Sequence, residues 1–129
     1  MRAAKQYLSF AGATPFQHAG AAALALGDAF YAGLAEAFKA KRDRLCAGLE
    51  AAGLRPLRPA GGYFVNAQVD DGAAFCRELP ERAGVVAIPT SVFYDDPDAG
   101  RSLVRFAFCK REAVIDEAAA RLAVSPAAR

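Results

Sequence analysis

Hydrophobic and polar positions recur along the chain with two periods, and together they predict four strands and four helices. Alternation with a period of two and short apolar runs predict strands at residues 54–57, 63–69, 85–88 and 102–110. Helical spacing, bounded by Gly and Pro, predicts helices at residues 14–26, 28–52, 70–79 and 112–123. Their order indicates an α+β fold, in which a small mixed β-sheet of three to four strands carries helices on one face.

The connections between these elements add two expectations. A helix joins the strands at 63–69 and 85–88, which favours a βαβ-like unit. The helix at 28–52 would be roughly 37 Å long at 1.5 Å per residue. We therefore expect a long linking helix that precedes the sheet.

The first predicted helix has an unusual composition. Thr14 is its expected N-cap, Pro15 its expected first residue, and Gly27 ends it. Beyond Gln17 and His18 it is apolar on every side, which is typical of a buried helix. A chain this short has few elements to cover it, so we expect this helix to pack against something outside the chain.

Composition and charge narrow the function. The 129 residues suit one domain, and their net charge of +2 is spread along the chain, which argues against nucleic-acid binding. No apolar run approaches the roughly 20 residues that span a bilayer, so we expect no membrane partner. Three widely spaced cysteines fit neither a disulfide framework nor a metal motif, and we expect a cytoplasmic protein: Cys46, Cys76 and Cys109.

One charged residue interrupts the last predicted strand. Arg105 lies among Leu, Val and Phe residues, and its guanidinium cannot lose its proton to escape burial. Its planar fork matches a carboxylate, so Arg105 is a candidate for binding a small acid. The alternative is ordinary alternation, in which Arg105 faces solvent or pairs with a nearby Asp or Glu.

Three other features are candidates with a structural alternative of equal or greater weight. The Gly61–Gly62 turn leads into a strand, so it suits a hairpin or a close backbone approach rather than phosphate binding. Phe93 and Tyr94 follow a strand and either line a pocket or anchor their loop. His18, the single histidine, has no metal-ligand or nucleophile partner at suitable spacing, and we expect a structural or surface role.

Four stretches, in this order, resemble the C-terminal small domain of fold type I, class I/II pyridoxal-phosphate aminotransferases, most closely the kynurenine/methionine aminotransferase group. They are KQYLSF (5–10) with TPFQ (14–17), GGYF (61–64), IPTSVFY (88–94) and VRFAFCK (104–110). The resemblance covers about residues 2–124. It implies a large-domain and dimer-interface segment at 1–27, a small domain at 28–124 and a tail at 125–129.

The resemblance also implies roles for individual residues. Arg105 would bind the α-carboxylate of an amino-acid or 2-oxo-acid substrate. Gly62 and Tyr63 would lie beside that substrate, and Phe93 and Tyr94 would help to form the wall of its pocket.

The part of the family that holds pyridoxal 5'-phosphate has no counterpart in these motifs. The family's cofactor lysine and the Asp that pairs with the pyridine nitrogen lie upstream of the resemblance. We therefore expect no catalytic residue in this chain, and activity only as part of a homodimer or with a missing large domain. The alternative is a non-catalytic α+β module that binds a carboxylate or mediates dimerisation.

Overall fold

The computed structural model describes residues 13–124, so the motif at 5–10 and the tail at 125–129 lie outside it. Its helices are α1 (Thr14–Leu24), α2 (Asp28–Ala51), α3 (Gly72–Ala83) and α4 (Glu112–Val124). Its strands are β1 (Arg55–Leu57), β2 (Phe64–Gln68), β3 (Ile88–Pro89) and β4 (Leu103–Ala107). Two 3-10 helices, Thr90–Phe93 and Pro97–Gly100, lie between β3 and β4. The chain divides into two compact units, Met1–Leu34 and Ala35–Arg129.

Helix α1 of the first unit begins one residue earlier than predicted. Ala13, not Thr14, is its N-cap, because the Ala13 carbonyl already accepts hydrogen bonds from the N–H groups of Phe16 and Gln17. Pro15 follows in the first turn, where its missing N–H costs nothing. The helix ends at Leu24, two residues before the predicted end.

Helix α1 is not covered by any other part of the described chain, and the partner surface expected for it stays a prediction. None of its residues is buried, and Phe16 and Leu24 are 77% and 84% exposed. An apolar composition predicts that a helix is covered by another surface, but it does not show where that surface lies. Within residues 13–124 no single helix is long and apolar enough to cross a membrane; the bent pair of α1 and α2 has the length and composition to do so only when both are taken together.

The second unit contains a four-stranded sheet in the order β1-β2-β4-β3, and every adjacent pair is antiparallel. The α+β class is therefore confirmed. The expected mixed pairing is not observed, because β4 lies between the two strands that α3 connects. β2 and β3 run parallel to each other, as a βαβ unit requires, but each forms its hydrogen bonds with β4.

Helix α3 is longer than predicted at its C-terminal end. Asp71 is its N-cap and accepts a hydrogen bond from the Ala74 N–H at 2.9 Å. Pro80 was expected to limit this helix, yet the helix continues through it to Gly84, whose φ of 63° forms a left-handed C-cap. We attribute the extra turn to burial of Ala83, since tertiary packing can outweigh the cost of a proline.

The core of the second unit lies between one face of the sheet and three helical segments, namely α3, α4 and the part of α2 from Ala35 onward. Alternation along the strands buries Val65 and Ala67 of β2 and Val104 and Phe106 of β4 on that face. The helices contribute Leu45, Cys46, Leu49, Phe75, Leu79, Ala83, Ile115 and Leu122. The other face of the sheet therefore carries the alternate residues, which are half-buried or exposed.

Candidate functional site

Arg105 lies at the centre of this second face. Its strand, β4, has neighbours on both sides, and the register places Asn66 of β2 and Ile88 of β3 directly opposite Arg105. The side chains of such cross-strand pairs share a face and lie close together. The sequence alternation that buries Val104 and Phe106 thus presents Arg105, half-buried, on the face away from the helices.

Neutral groups surround the guanidinium. Its Nε donates a hydrogen bond to Asn66 Oδ1 at 3.3 Å, which is at the long end of the normal range. Its central carbon lies 4.2 Å from the centre of the Phe93 ring and 5.3 Å from that of Phe64. Both distances allow cation–π attraction, worth about 0.5–2 kcal/mol for a cation over an aromatic face.

No carboxylate of residues 13–124 lies at ion-pair distance from Arg105. Five other arginines do pair with acids, whereas the exposed Arg55, Arg77 and Arg111 form no ion pair among residues 13–124: Arg42 and Arg58 pair with Asp43, Arg44 with Asp116, Arg101 with Asp71 and Arg121 with Glu117. Pairing with a local acid, one of the two alternatives for Arg105, is thus not observed in the described part of the chain.

Gly62 and Tyr63, which precede β2, relate to Arg105 in different ways. The φ of Gly62 is 77°, a conformation that a residue with a Cβ rarely adopts. The Tyr63 ring lies 4.5 Å from that of Phe64, centre to centre, and Phe64 in turn contacts the Arg105 guanidinium. Tyr63 is therefore a neighbour of the arginine through Phe64, whereas Gly62 shapes the entry into β2.

The loop after β3 brings a ring to the arginine. Thr90 is buried at its start, and Phe93 and Tyr94 are 53% and 46% exposed. Gly100 allows the Tyr94 ring to approach closely, because a Cβ at Gly100 would lie 2.7 Å from Tyr94 Cδ2. Tyr94 thus packs on its own loop, as an anchor would, while Phe93 contacts Arg105.

Sequence reasoning missed Asn66 and Phe64. The alternation of the strand at 63–69 places both on the face opposite Val65, which was the available signal. The alternation could not show which residue of the neighbouring strand lies opposite Asn66. The register that sets Asn66 opposite Arg105 joins residues 39 positions apart in the chain.

The described lysines do not fit the cofactor that the resemblance implies. A lysine that binds an aldehyde needs a desolvated amine. Lys39 is 56% exposed and pairs with Glu36, Lys41 lies 5.7 Å from the centre of the Phe38 ring, and Lys110 is exposed. Lys5 lies outside the described residues. Within those residues, no group of three or more His, Cys, Asp or Glu could hold a metal ion.

Comparison with known proteins relates this geometry to one family. The family model for aminotransferase class I and II matches residues 1–122. A probable N-succinyldiaminopimelate aminotransferase, DapC, of Mycobacterium tuberculosis is 47% identical over 96% of this chain and 34% of its own length. The methionine aminotransferase of Escherichia coli is 36% identical over 95% of this chain and 33% of its own length.

Solved structures agree with these matches. The structure of N-succinyldiaminopimelate aminotransferase from Mycobacterium tuberculosis superposes with a TM-score of 0.86, at 49% identity, over 95% of this chain and 33% of that chain. The Escherichia coli structure with a methionine aminotransferase function gives 0.79 at 36% identity, over 92% and 32% of the two chains. The chain therefore spans about a third of the length of the relatives that it matches.

Proposed function

The chain belongs to the class I and II aminotransferase family, and on that premise we propose that it is the substrate-binding portion of an enzyme that transfers an amino group between an amino acid and a 2-oxo acid. The observation that carries the proposal is an arginine with an unneutralised charge at the centre of an open sheet face. The class of reaction comes from the family. The role of this chain within it comes from Arg105.

Arg105 binds the α-carboxylate of the substrate in this proposal. Among residues 13–124 its charge is not neutralised, and only its Nε has a hydrogen-bond partner. Its two terminal nitrogens can therefore donate two parallel hydrogen bonds to one carboxylate. Hydrogen bonds to charged groups contribute about 1.5–3 kcal/mol each, so loss of the fork should weaken binding roughly ten- to hundredfold.

Four further residues shape the pocket around that carboxylate. Phe93 covers the guanidinium, and Tyr94 packs beside it on the same loop. Tyr63 extends the aromatic surface through Phe64, and Gly62 lets the chain turn close to the substrate. An arginine framed by aromatic rings is typical of a ligand site in which a few polar groups set orientation.

In this family pyridoxal 5'-phosphate carries the amino group. We propose that the cofactor is bound by a separate portion of the enzyme, which corresponds to the two thirds of the relatives that this chain does not match. That portion also supplies the cofactor lysine. Residues 1–27 then form a large-domain or dimer-interface segment, residues 28–124 the small domain, and 125–129 a tail. The exposed apolar surface of α1 supports such an association. Free Cys46, Cys76 and Cys109 support a cytoplasmic location.

The test is a chimera in which residues 1–129 replace the matching third of the Mycobacterium tuberculosis relative. We expect the chimera to catalyse transamination. Arg105→Lys should raise KM for the amino acid roughly ten- to hundredfold, because a point charge cannot replace the fork. Arg55→Lys, an exposed position on β1, is the matched control and should leave KM unchanged.

Two results would contradict the proposal. The first is an Arg105→Lys chimera that binds the cofactor but keeps the KM of the parent. The second comes from the isolated chain treated with pyridoxal 5'-phosphate and then borohydride. A stoichiometric lysine adduct there would mean that the chain holds its own cofactor site, and the division of roles would be wrong.

A further inference from the structure

We propose that Asn66 is a positioning residue for Arg105, which holds the guanidinium through a neutral acceptor and leaves its charge and its terminal nitrogens available to a carboxylate. This inference rests on the proposed function of Arg105. It assigns a role to a residue outside the motifs that mark the family resemblance.

The backbone delivers Asn66 to Arg105. The two residues are directly paired between β2 and β4, two antiparallel strands at the centre of the sheet. Slipping the register by one residue would turn every β2 side chain to the other face and expose Val65, which is fully buried. The burial of the core face therefore fixes the Asn66–Arg105 pair before any ligand binds.

The chemistry of the amide decides what the pair can do. Asn66 Oδ1 accepts from Nε, which leaves the Nη1 and Nη2 end of the fork without a hydrogen-bond partner among residues 13–124. A carboxylate at position 66 would have nearly the same shape, but it would neutralise the arginine and compete with the substrate. A neutral oxygen restrains the guanidinium without that competition, and it directs a ligand to the terminal edge rather than to the Nε side.

The aromatic neighbours complete the restraint. Phe93 and Phe64 contact the guanidinium at 4.2 and 5.3 Å from their ring centres, and neither carries a charge. One polar contact at Nε and two aromatic contacts with the guanidinium limit its rotation. A pre-oriented fork loses less conformational freedom when it binds a carboxylate, which favours affinity.

The experiment uses the full chain labelled with 15N-arginine, with pyruvate as the carboxylate probe. The Nε–Hε signal of Arg105 is assigned by its loss in Arg105→Lys. In the parent chain this proton should exchange with solvent severalfold more slowly than that of exposed Arg55. In Asn66→Leu that protection should disappear, and pyruvate should bind roughly three- to tenfold more weakly.

Asn66→Asp is the sharper variant, because it keeps the side-chain shape and adds a charge. It should keep the Nε–Hε proton protected but weaken pyruvate binding at least tenfold. Gln68→Asp is the matched control, since it adds the same charge to the same face of β2, opposite Leu103. We expect it to change the affinity by no more than about threefold at physiological ionic strength.

The outcomes separate the two proposals. Unchanged exchange in Asn66→Leu, or equal effects of Asn66→Asp and Gln68→Asp, would overturn the role of Asn66. Pyruvate that binds the parent and Arg105→Lys equally well would instead overturn the carboxylate role of Arg105. In that case the proposed role of Asn66 would fail as well, because there would be no carboxylate site for it to support. Slow exchange of the Nε–Hε proton would still establish the contact between Asn66 and Arg105.

Discussion

The contact between α2 and α4 leaves no room for a methyl group at Gly48. A Cβ built at this position would lie 2.4 Å from the Cβ of Ala119, whereas an ordinary contact begins near 3.4 Å. The two helices would have to separate by about 1.0 Å, the difference between those distances, to accept Gly48→Ala. Both helices pack on the sheet through buried leucines, Leu49 and Leu122, so a separation of this size disturbs the core.

Two opposing terms set the magnitude. Overpacking a well-packed contact costs about 1–3 kcal/mol. Replacing a helical glycine by alanine gains about 1 kcal/mol of helix propensity. We therefore expect Gly48→Ala to lower the free energy of unfolding by up to about 2 kcal/mol, in a direction opposite to that of propensity alone.

A double-mutant cycle isolates the packing term. Ala119→Gly removes the opposing methyl group, so it should restore stability when added to Gly48→Ala, with a coupling energy of about 1–3 kcal/mol. Ala120→Gly changes the exposed neighbour of Ala119 and carries a similar propensity cost without touching Gly48. It should lower the stability of Gly48→Ala further, by about 1 kcal/mol.

Urea unfolding followed by far-ultraviolet circular dichroism gives the free energy of unfolding of five chains, with equal m-values as the check on two-state behaviour. They are the parent, Gly48→Ala, Ala119→Gly, and the combinations of Gly48→Ala with Ala119→Gly and with Ala120→Gly. The reasoning is refuted if Gly48→Ala is more stable than the parent. It is refuted equally if Ala119→Gly and Ala120→Gly have the same effect on Gly48→Ala, since only the first relieves the close approach.

Three further predictions test other parts of the second unit. Cys109, which is exposed, should react quickly with a thiol reagent in the native chain, whereas burial raises the pKa of the Cys76 thiol to about 11, so Cys76 should react only slowly until the chain is unfolded. Gly100→Ala should displace the Tyr94 ring, measured as a change in its NMR signals and a weaker affinity for pyruvate; unchanged signals would contradict the close approach. Asp71 accepts a hydrogen bond from the Ala74 N–H, and this bond lowers the pKa of the Asp71 carboxyl group. The ionised cap therefore stabilises the fold above the unfolded pKa of Asp71, about 4, and this stabilisation is lost as pH falls through the lower folded pKa. The difference in urea midpoint between the parent and Asp71→Ala should therefore shrink on acidification, and a constant difference would argue against an ionised cap.

Local rules in the sequence determined most of the secondary structure of this protein. Gly and Pro boundaries, helical spacing and period-two alternation are properties of short segments, so they predicted the α+β class and the strand that contains Arg105. The motifs supplied the family, which the comparisons confirm. The alternation also marked Arg105 as a charge in the middle of an apolar strand.

Only the tertiary structure decided which strands pair with β4, the strand that contains Arg105. The insertion of β4 between β2 and β3 makes every pairing antiparallel and brings Asn66 opposite Arg105. Tertiary packing also extends α3 through Pro80, against local propensity, because the extra turn buries Ala83. Pairing across 39 residues depends on which faces the core buries, and that is a property of the whole sheet rather than of any segment.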